Sequence, residues 1–439
     1  MGFDQLLALL VLIVVLAVVA SGRFRMDVTA LSGLLILGIA GVAPPKIIFS
    51  GFGHPALATI ITVFFISQGL INSEAFRGLG HILARKTHSL RGQVLGTAFV
   101  GAILSSVMNN VGAVGLMIPT AVRMAKRSGV QPGTFGLPLA MISILGGSIT
   151  LIGSAPNIII ASYMASATGS SFKMFDYAPH GLAMLAVALL TWTVCKSCGI
   201  DPGSTCSEEE EKNGDENKTN RDSTLKDSDN NSNESGEPKH FAPLATKTMK
   251  ITLISLLLGI ILVSFGLLHP AFGFGGAALV MIYFGVLKLP ADFSAVDLKI
   301  VFFLGSMLGI GQTLEYTGTL DLLAEYLAAF TAGFSPLVLI IVITFVSSAL
   351  SNAINNSAAA VFMAPLAIGI AAGSSLGTAA ALMAVAAGSN LALMLPTHQA
   401  TLLVLSKAPF SIGSFIRFGA VLTVLCGVAA AAVIALVWQ

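Results

Sequence analysis

The sequence predicts an all-α, polytopic membrane protein built from two inverted repeats. Three observations carry that reading. The chain has 439 residues, 55% hydrophobic and only 10% charged, with a mean hydropathy of +0.87, whereas a soluble domain carries roughly 25% charged residues. Its charge is also segregated, since 11 of the 21 acidic residues lie between Ser204 and His240. Finally, one motif occurs twice inside long apolar segments: MNNVGAVGLMIP (Met108–Pro119) and INNSAAAVFMAP (Ile354–Pro365). Each copy has two asparagines and a proline nine positions after the second of them. Amides at such depth are unfavourable unless something occupies them.

In the first half, Leu6–Ala20, Leu31–Ala43 and Ala56–Ile71 read as spans. The first lacks a basic leader region and a small-residue cleavage site, so it is expected to be a span rather than a removed signal. Arg23, Arg25 and the basic loop Arg77–Gly92 place both intervening loops on the cytoplasmic side. Two runs follow, Gln93–Val107 and Gly112–Val122, each about three to four turns long. A crossing needs roughly 20 residues, so a re-entrant helical hairpin over about 93–126 is expected. Leu137–Ile152 and Ile158–Ala167 are interrupted by Gly153-Ser154-Ala155-Pro156-Asn157, an expected unwound segment. Gly181–Thr193 closes the first repeat, placed at residues 1–200.

Residues 201–245 form an acidic linker without apolar periodicity, expected to be disordered and cytoplasmic. Its three glycosylation-like triplets, at Asn217, Asn230 and Asn233, are discounted on that topology. Cys195 and Cys198 read as helix-end residues, and the four cysteines do not suggest a disulfide framework. A net charge of +2 without a basic cluster gives no expectation of a nucleic-acid partner.

The second repeat, 246–439, follows the same order. Ile251–Leu268, Phe272–Leu287 and Val301–Gly311 are spans. A second hairpin (about 334–372) combines Leu337–Ile354 with Ala358–Ala372. Thr378–Leu405 is interrupted at Pro396-Thr397-His398-Gln399, and Val421–Val437 is the last span. Five spans plus a hairpin is an odd number of crossings, so the halves are inverted and the second hairpin enters from outside. Both termini are then extracytoplasmic, in a plasma (cell inner) membrane protein.

The tips and breaks together form one candidate site. The tips supply Ser105, Asn109, Asn110, Ser351, Asn355 and Asn356. The breaks supply Gly153, Ser154, Asn157, Pro396, Thr397, His398 and Gln399. The free N–H groups of a half-helix suit an anion, while terminal carbonyls and amide oxygens suit a hard cation such as sodium. Each tip with its break could hold one cation, with the anion between the tips. Glu74 and Glu315 sit toward span ends, and Lys407 and Arg417 read as interface anchors. His398 has three readings, as a packing residue, an anion donor or a titratable gate.

The motifs MNNxxxxxxxIP, LPLxxxSILGGxxTLIGSxxN, SNxxNNxAAAxxxxPxA and LPTHQ resemble the divalent-anion/sodium symporter family, within the wider ion-transporter superfamily. That family includes sulfate and dicarboxylate transporters. Its Ser-Asn-Thr tip signature falls on Asn109-Asn110-Val111 and Asn355-Asn356-Ser357. The resemblance implies cation ligands at Ser105, Asn110 and Gly153 and at Ser351, Asn356 and Pro396. It further implies anion contacts at the tips, including Ser357, and a homodimer working by an elevator-type motion. Three departures stand out. Asparagine replaces the leading serine in both tips, Val111 lacks the trailing hydroxyl, and Thr397-His398-Gln399 replaces the family's second break.

The expected function is sodium-coupled import of a small anion, with sulfate first and dicarboxylate or organosulfonate next. Alternatives are an arsenite or oxyanion exporter, a proton-coupled carrier using His398, a sodium-independent exchanger, or a channel. No motif joins a nucleophile, a base and an orienting group, so enzyme activity is not expected.

Overall fold

The structure, a computed structural model, describes residues 2–21, 23–73, 89–194, 243–331 and 333–439. Outside them lie Glu74, most of the basic loop, the linker up to residue 242, and Cys195, Cys198 and Cys206. Among the described residues the regular elements are all helical. Six helices are long and apolar enough to cross a membrane by length and composition.

The first half comprises α1 (Phe3–Ala20), α2 (Met26–Ile39), the short α3 (Pro45–Ile48), α4 (Pro55–Asn72), α5 (Leu90–Val107), α6 (Asn110–Ser128), α7 (Gly133–Gly146), α8 (Ala155–Thr168) and α9 (Ala178–Val194). The second comprises α10 (Pro243–Ser264), α11 (Pro270–Tyr283), α12 (Leu298–Tyr316), α13 (Thr319–Thr331), α14 (Pro336–Ala353), α15 (Asn356–Ala372), α16 (Thr378–Ser389), α17 (Gln399–Lys407) and α18 (Ile412–Val437). A 3-10 turn precedes α4 (Phe49–Gly53) and another precedes α12 (Ala291–Ala295).

Packing repeats between the halves. α5 lies on α7 as α14 lies on α16, and α6 meets α17 as α15 meets α8. α2 packs on α12 and α11 on α4, so each of these pairs joins the two halves. α9 and α18 pack together, with Trp192 and Phe418 at a ring-centroid separation of 4.2 Å.

The innermost helices are α7, buried along its whole length, and α16, buried from Ala380 onward. They approach the hairpins closely because they present small residues. A methyl group on Gly146 would meet the carbonyl carbon of Ala102 at 2.7 Å, and one on Gly388 would meet that of Thr344 at 3.0 Å. These contacts set each break beside a hairpin tip.

Several expected boundaries move. α2 begins five residues earlier than read, capped by Arg25, which pairs with Asp27 at 2.7 Å. The first hairpin's arms are 18 and 19 residues long, so each helix is longer than its apolar run and is not short of a crossing. The basic segment Arg123–Ser128 continues the helix, burying Met124 and Ala125, and Gly129 ends it at φ +66°. The Leu298–Tyr316 and Ile412–Val437 helices also extend beyond the apolar cores read as spans. The Thr319–Thr331 helix was not anticipated.

Candidate functional site

The doubled asparagines divide two tasks. Asn109 caps α6, its Oδ1 accepting from the Val111 N–H at 3.1 Å, and Asn355 caps α15, accepting from the Ala358 N–H at 2.8 Å. The second asparagine of each pair is the first helical residue and folds back on the arm before it. Ser105 Oγ donates to Asn110 Oδ1, and Ser351 Oγ donates to Asn356 Oδ1 at 3.0 Å. Both tips also touch helices outside their hairpin. The Asn109 N–H donates to Ser67 Oγ of α4 at 3.0 Å, and Asn355 Nδ2 donates to Met26 Sδ of α2 at 3.0 Å.

The breaks begin earlier than the sequence suggested. α7 stops at Gly146 and α16 at Ser389, six residues before the expected ends. Gly146-Gly147 and Gly388-Ser389-Asn390 weaken the helix where the hairpin backbone crosses it. Ala155 and Pro156 open α8, since proline is tolerated in a first turn, and Asn157 lies inside that helix.

An unwound backbone at membrane depth must satisfy its own polar groups. In the first break Asn157 Nδ2 donates to the Gly147 and Thr150 carbonyls at 3.3 and 2.8 Å. Thr150 Oγ1 donates to the Ser106 carbonyl and accepts from the Gly153 N–H at 3.2 Å. In the second break Asn352 Nδ2 donates to the Leu391 carbonyl at 3.0 Å, and its Oδ1 accepts from Met394 and Leu395 N–H at 2.9 and 3.0 Å. Ser348 Oγ donates to the same Leu391 carbonyl at 2.9 Å, and Thr397 Oγ1 donates to the Asn352 carbonyl at 3.3 Å.

Two groups of oxygens result. Around Gly147 and Gly153 the Ser105, Gly147 and Gly153 carbonyls gather with Asn110 Oδ1. A methyl on Gly153 would stand 2.7 Å from the Gly147 oxygen and 2.8 Å from that of Ser105. A methyl on Gly147 would stand 3.0 Å from the Gly153 oxygen and closer still to Asn110 Oδ1. In the second half Ser351 Oγ reaches Asn356 Oδ1 and donates to the Ser389 carbonyl at 2.6 Å. The carbonyl bonded in this group is that of Ser389, seven residues before Pro396. Neutral oxygens crowded in this way fit a small hard cation.

Between the tips lies a cavity of about 120 Å³. Its polar wall is made by four helix starts, carrying Asn109 and Asn110 on α6, Asn355–Ser357 on α15, Ser154 at α8, and Thr397 and His398 at α17. Gly153 also lines it, whereas Ser105, Ser351 and Pro396 do not. The opposite wall is apolar, with Ile60, Val63 and Phe64 of α4, Phe303 of α12 and Met26 of α2. Among the described residues no Lys, Arg, Asp or Glu lines it.

His398 caps α17, its Nδ1 accepting from the Ala400 N–H at 3.1 Å. That bond leaves the proton on Nε2, making the ring a neutral donor. His54 and His269 cap α4 and α11 in the same way, at 3.3 and 3.2 Å, and both line a separate cavity of about 260 Å³ beside α8.

The sequence reading missed Asn390 and gave Asn352 no role. Both are buried amides in apolar runs, the feature that had singled out the tips.

Apolar helices of this length around a cavity of half-helix starts are those of a multi-pass membrane protein. Residues 10–388 match the citrate transporter family CitMHS, and the chain belongs to that family. It is 26% identical over 197 residues to the uncharacterized transporter YfbS of Escherichia coli, across 45% of this chain and 32% of that one. It is 27% identical over 140 residues to the probable sodium/sulfate cotransporter 3 of Chlamydomonas reinhardtii, across 30% of this chain and 16% of that one. The chain thus spans a third or less of the length of these curated relatives. Its fold is similar to the crystal structure of the Alcanivorax borkumensis YdaH transporter, with a TM-score of 0.62 at 15% identity over 99% of this chain and 98% of that one.

Proposed function

We propose that this protein is a sodium-coupled symporter of a small oxyanion, sulfate first, with dicarboxylate and organosulfonate next. The observation that carries the reading is the convergence of four helix starts on one cavity, with no charged side chain among the described residues that line it. Half-helix N-termini aimed at an anion, with carbonyl-rich cation sites behind them, are how such transporters bind substrate at the midplane. Asn109, Asn110, Ser154, Asn355, Asn356, Ser357, Thr397 and His398 form the anion site. Ser105, Asn110 and Gly153 hold one sodium ion, and Ser351 and Asn356, now with the Ser389 carbonyl, hold the other. The relatives named as sodium/sulfate cotransporters support the pairing of ions.

Two tips sharing one cavity favours re-entrant hairpins that stop midway from opposite faces. The two repeats, 1–200 and 246–439, are then inverted about that plane, with the linker cytoplasmic. The α5–α9 and α14–α18 segments carry substrate against a scaffold of α2, α4, α11 and α12 in an elevator motion. The family's description favours a second reading, transport of a tricarboxylate. The cavity's size, and the absence of arginine and lysine among the described residues that line it, speak for the smaller ion.

The test is uptake of labelled sulfate into proteoliposomes, with and without an inward sodium gradient. Sodium-driven accumulation, resistant to excess citrate, is expected. Uptake indifferent to sodium overturns the coupling. Uptake that follows a proton gradient instead selects the proton-coupled alternative.

A further inference from the structure

We propose that the Asn157–Asn390 pair is a positioning bridge that couples the two cation sites to each other and to the anion cavity. The proposal rests on the sodium-coupled reading above. Both asparagines are 0% exposed, and neither lines the cavity. They belong to different halves and bond directly, Asn390 Nδ2 donating to Asn157 Oδ1 at 2.9 Å.

The bonds leaving this pair end on the site. Asn157 Nδ2 donates to the Gly147 carbonyl at 3.3 Å, and that oxygen belongs to the first cation group. Asn390 shares a peptide unit with the Ser389 carbonyl, which accepts from Ser351 Oγ at 2.6 Å in the second group. Asn390 Oδ1 accepts from Ser154 Oγ at 2.6 Å, and Ser154 stands at the N-cap position of α8 on the cavity wall. The amide hydrogens of both residues are all engaged, Asn390 Nδ2 reaching the Ala386 carbonyl at 2.9 Å with its other one.

A bond serving only helix packing needs one donor and one acceptor. Here the bonds run to one carbonyl of each cation group and to the cap at the anion wall. A cation that draws the Gly147 carbonyl toward itself reorients Asn157. Asn157 reorients Asn390, and the Ser389 carbonyl turns with it. Coupling of this kind typically changes affinity by roughly 5–150-fold, and it acts equally in both directions.

The experiment is sodium titration of sulfate uptake by the full chain in proteoliposomes, with Asn157→Ala, Asn390→Ala, the double variant and Ser154→Ala. The wild type is expected to respond sigmoidally. Each single alanine variant lowers the Hill coefficient to about 1 and raises half-saturating sodium about tenfold. The double variant is no worse than either single one, since both break the same connection. Ser154→Ala keeps the sigmoidal response but weakens the dependence of the sulfate KM on sodium. If an alanine variant does not fold, Asn390→Ser, which keeps a hydroxyl too short to reach Asn157, takes its place. A wild type indifferent to sodium overturns the transport reading itself. A sodium-dependent wild type with a Hill coefficient of 1, single variants that keep its cooperativity, or effects that add in the double variant overturn the bridge alone.

Discussion

In the first half, the hairpin meets its break through the Thr150 hydroxyl, which donates to the Ser106 carbonyl, and the break is also held by Asn157 from the helix that follows and by the Met174 carbonyl, which accepts from the Leu151 N–H at 2.9 Å. In the second half, Asn352 reaches out of the hairpin itself and bonds Leu391, Met394 and Leu395 of the break, and Ser348 adds a further bond. The stabilising amide therefore stands on opposite sides of the two breaks. The second hairpin and its break are bound as one unit. The first break is bound chiefly to α8 and, through Asn390, to the other half. Two copies of one motif have thus reached similar oxygen arrangements by different supports.

The largest test of this difference compares equivalent positions. Asn352→Ala strands the Met394 and Leu395 N–H groups of the break, while the Leu391 carbonyl keeps Ser348 Oγ, and each lost partner costs about 1–3 kcal/mol. Its counterpart Ser106 donates only to the Ile103 carbonyl of its own helix at an exposed position, so Ser106→Ala stays within about 0.5 kcal/mol of wild type. Thermal unfolding of the two purified variants in detergent measures the contrast. Equal loss in both would show that the second break does not depend on its hairpin.

Smaller than this is the effect on cation binding. Asn110→Ala and Asn356→Ala each remove a side-chain oxygen from their group while leaving the cap residues Asn109 and Asn355 in place. Half-saturating sodium in sulfate uptake should rise about tenfold in each, which corresponds to about 1.4 kcal/mol. An unchanged sodium response in both variants would remove the tips from the cation sites.

The tips were legible in the sequence because paired amides recur at matching positions in two apolar runs. Helix order was legible for the same reason, from runs of apolar residues. The limits of the breaks were not. Pro156 and Pro396 drew attention to where each following helix starts, whereas the preceding helix ends at Gly146 and Ser389 because a hairpin backbone presses on it. That is a tertiary cause with no local signature. Asn352 and Asn390 carried the same signal as the tips, but their partners lie 39 and 233 residues away in the chain, and spacing alone does not reveal them.

The tips differ at one further position, Val111 against Ser357, and both residues line the cavity. Val111→Ser restores a hydroxyl to the first tip. A single hydrogen bond is worth about 0.5–1.5 kcal/mol, so the preference between sulfate and a dicarboxylate should shift a few-fold. Competition of unlabelled succinate against labelled sulfate uptake reads it. No change in preference would show that the bound anion does not reach the first tip at this position.

The smallest effect is expected at His398, and it separates the two breaks once more, because α8 starts with Ser154 where α17 starts with a histidine. Nδ1 of His398 accepts the Ala400 N–H, as Nδ1 of His54 and His269 do at their own helices. A repeated capping role explains this histidine without any proton transfer. His398→Asn keeps a capping oxygen and removes the titratable ring, so stability changes by a few tenths of a kcal/mol at most. The pH profile of sodium-driven uptake, measured between about pH 5 and 8 where a histidine would titrate, should match that of wild type. A profile flattened by this substitution would make His398 a proton site and turn the second break into the seat of proton coupling.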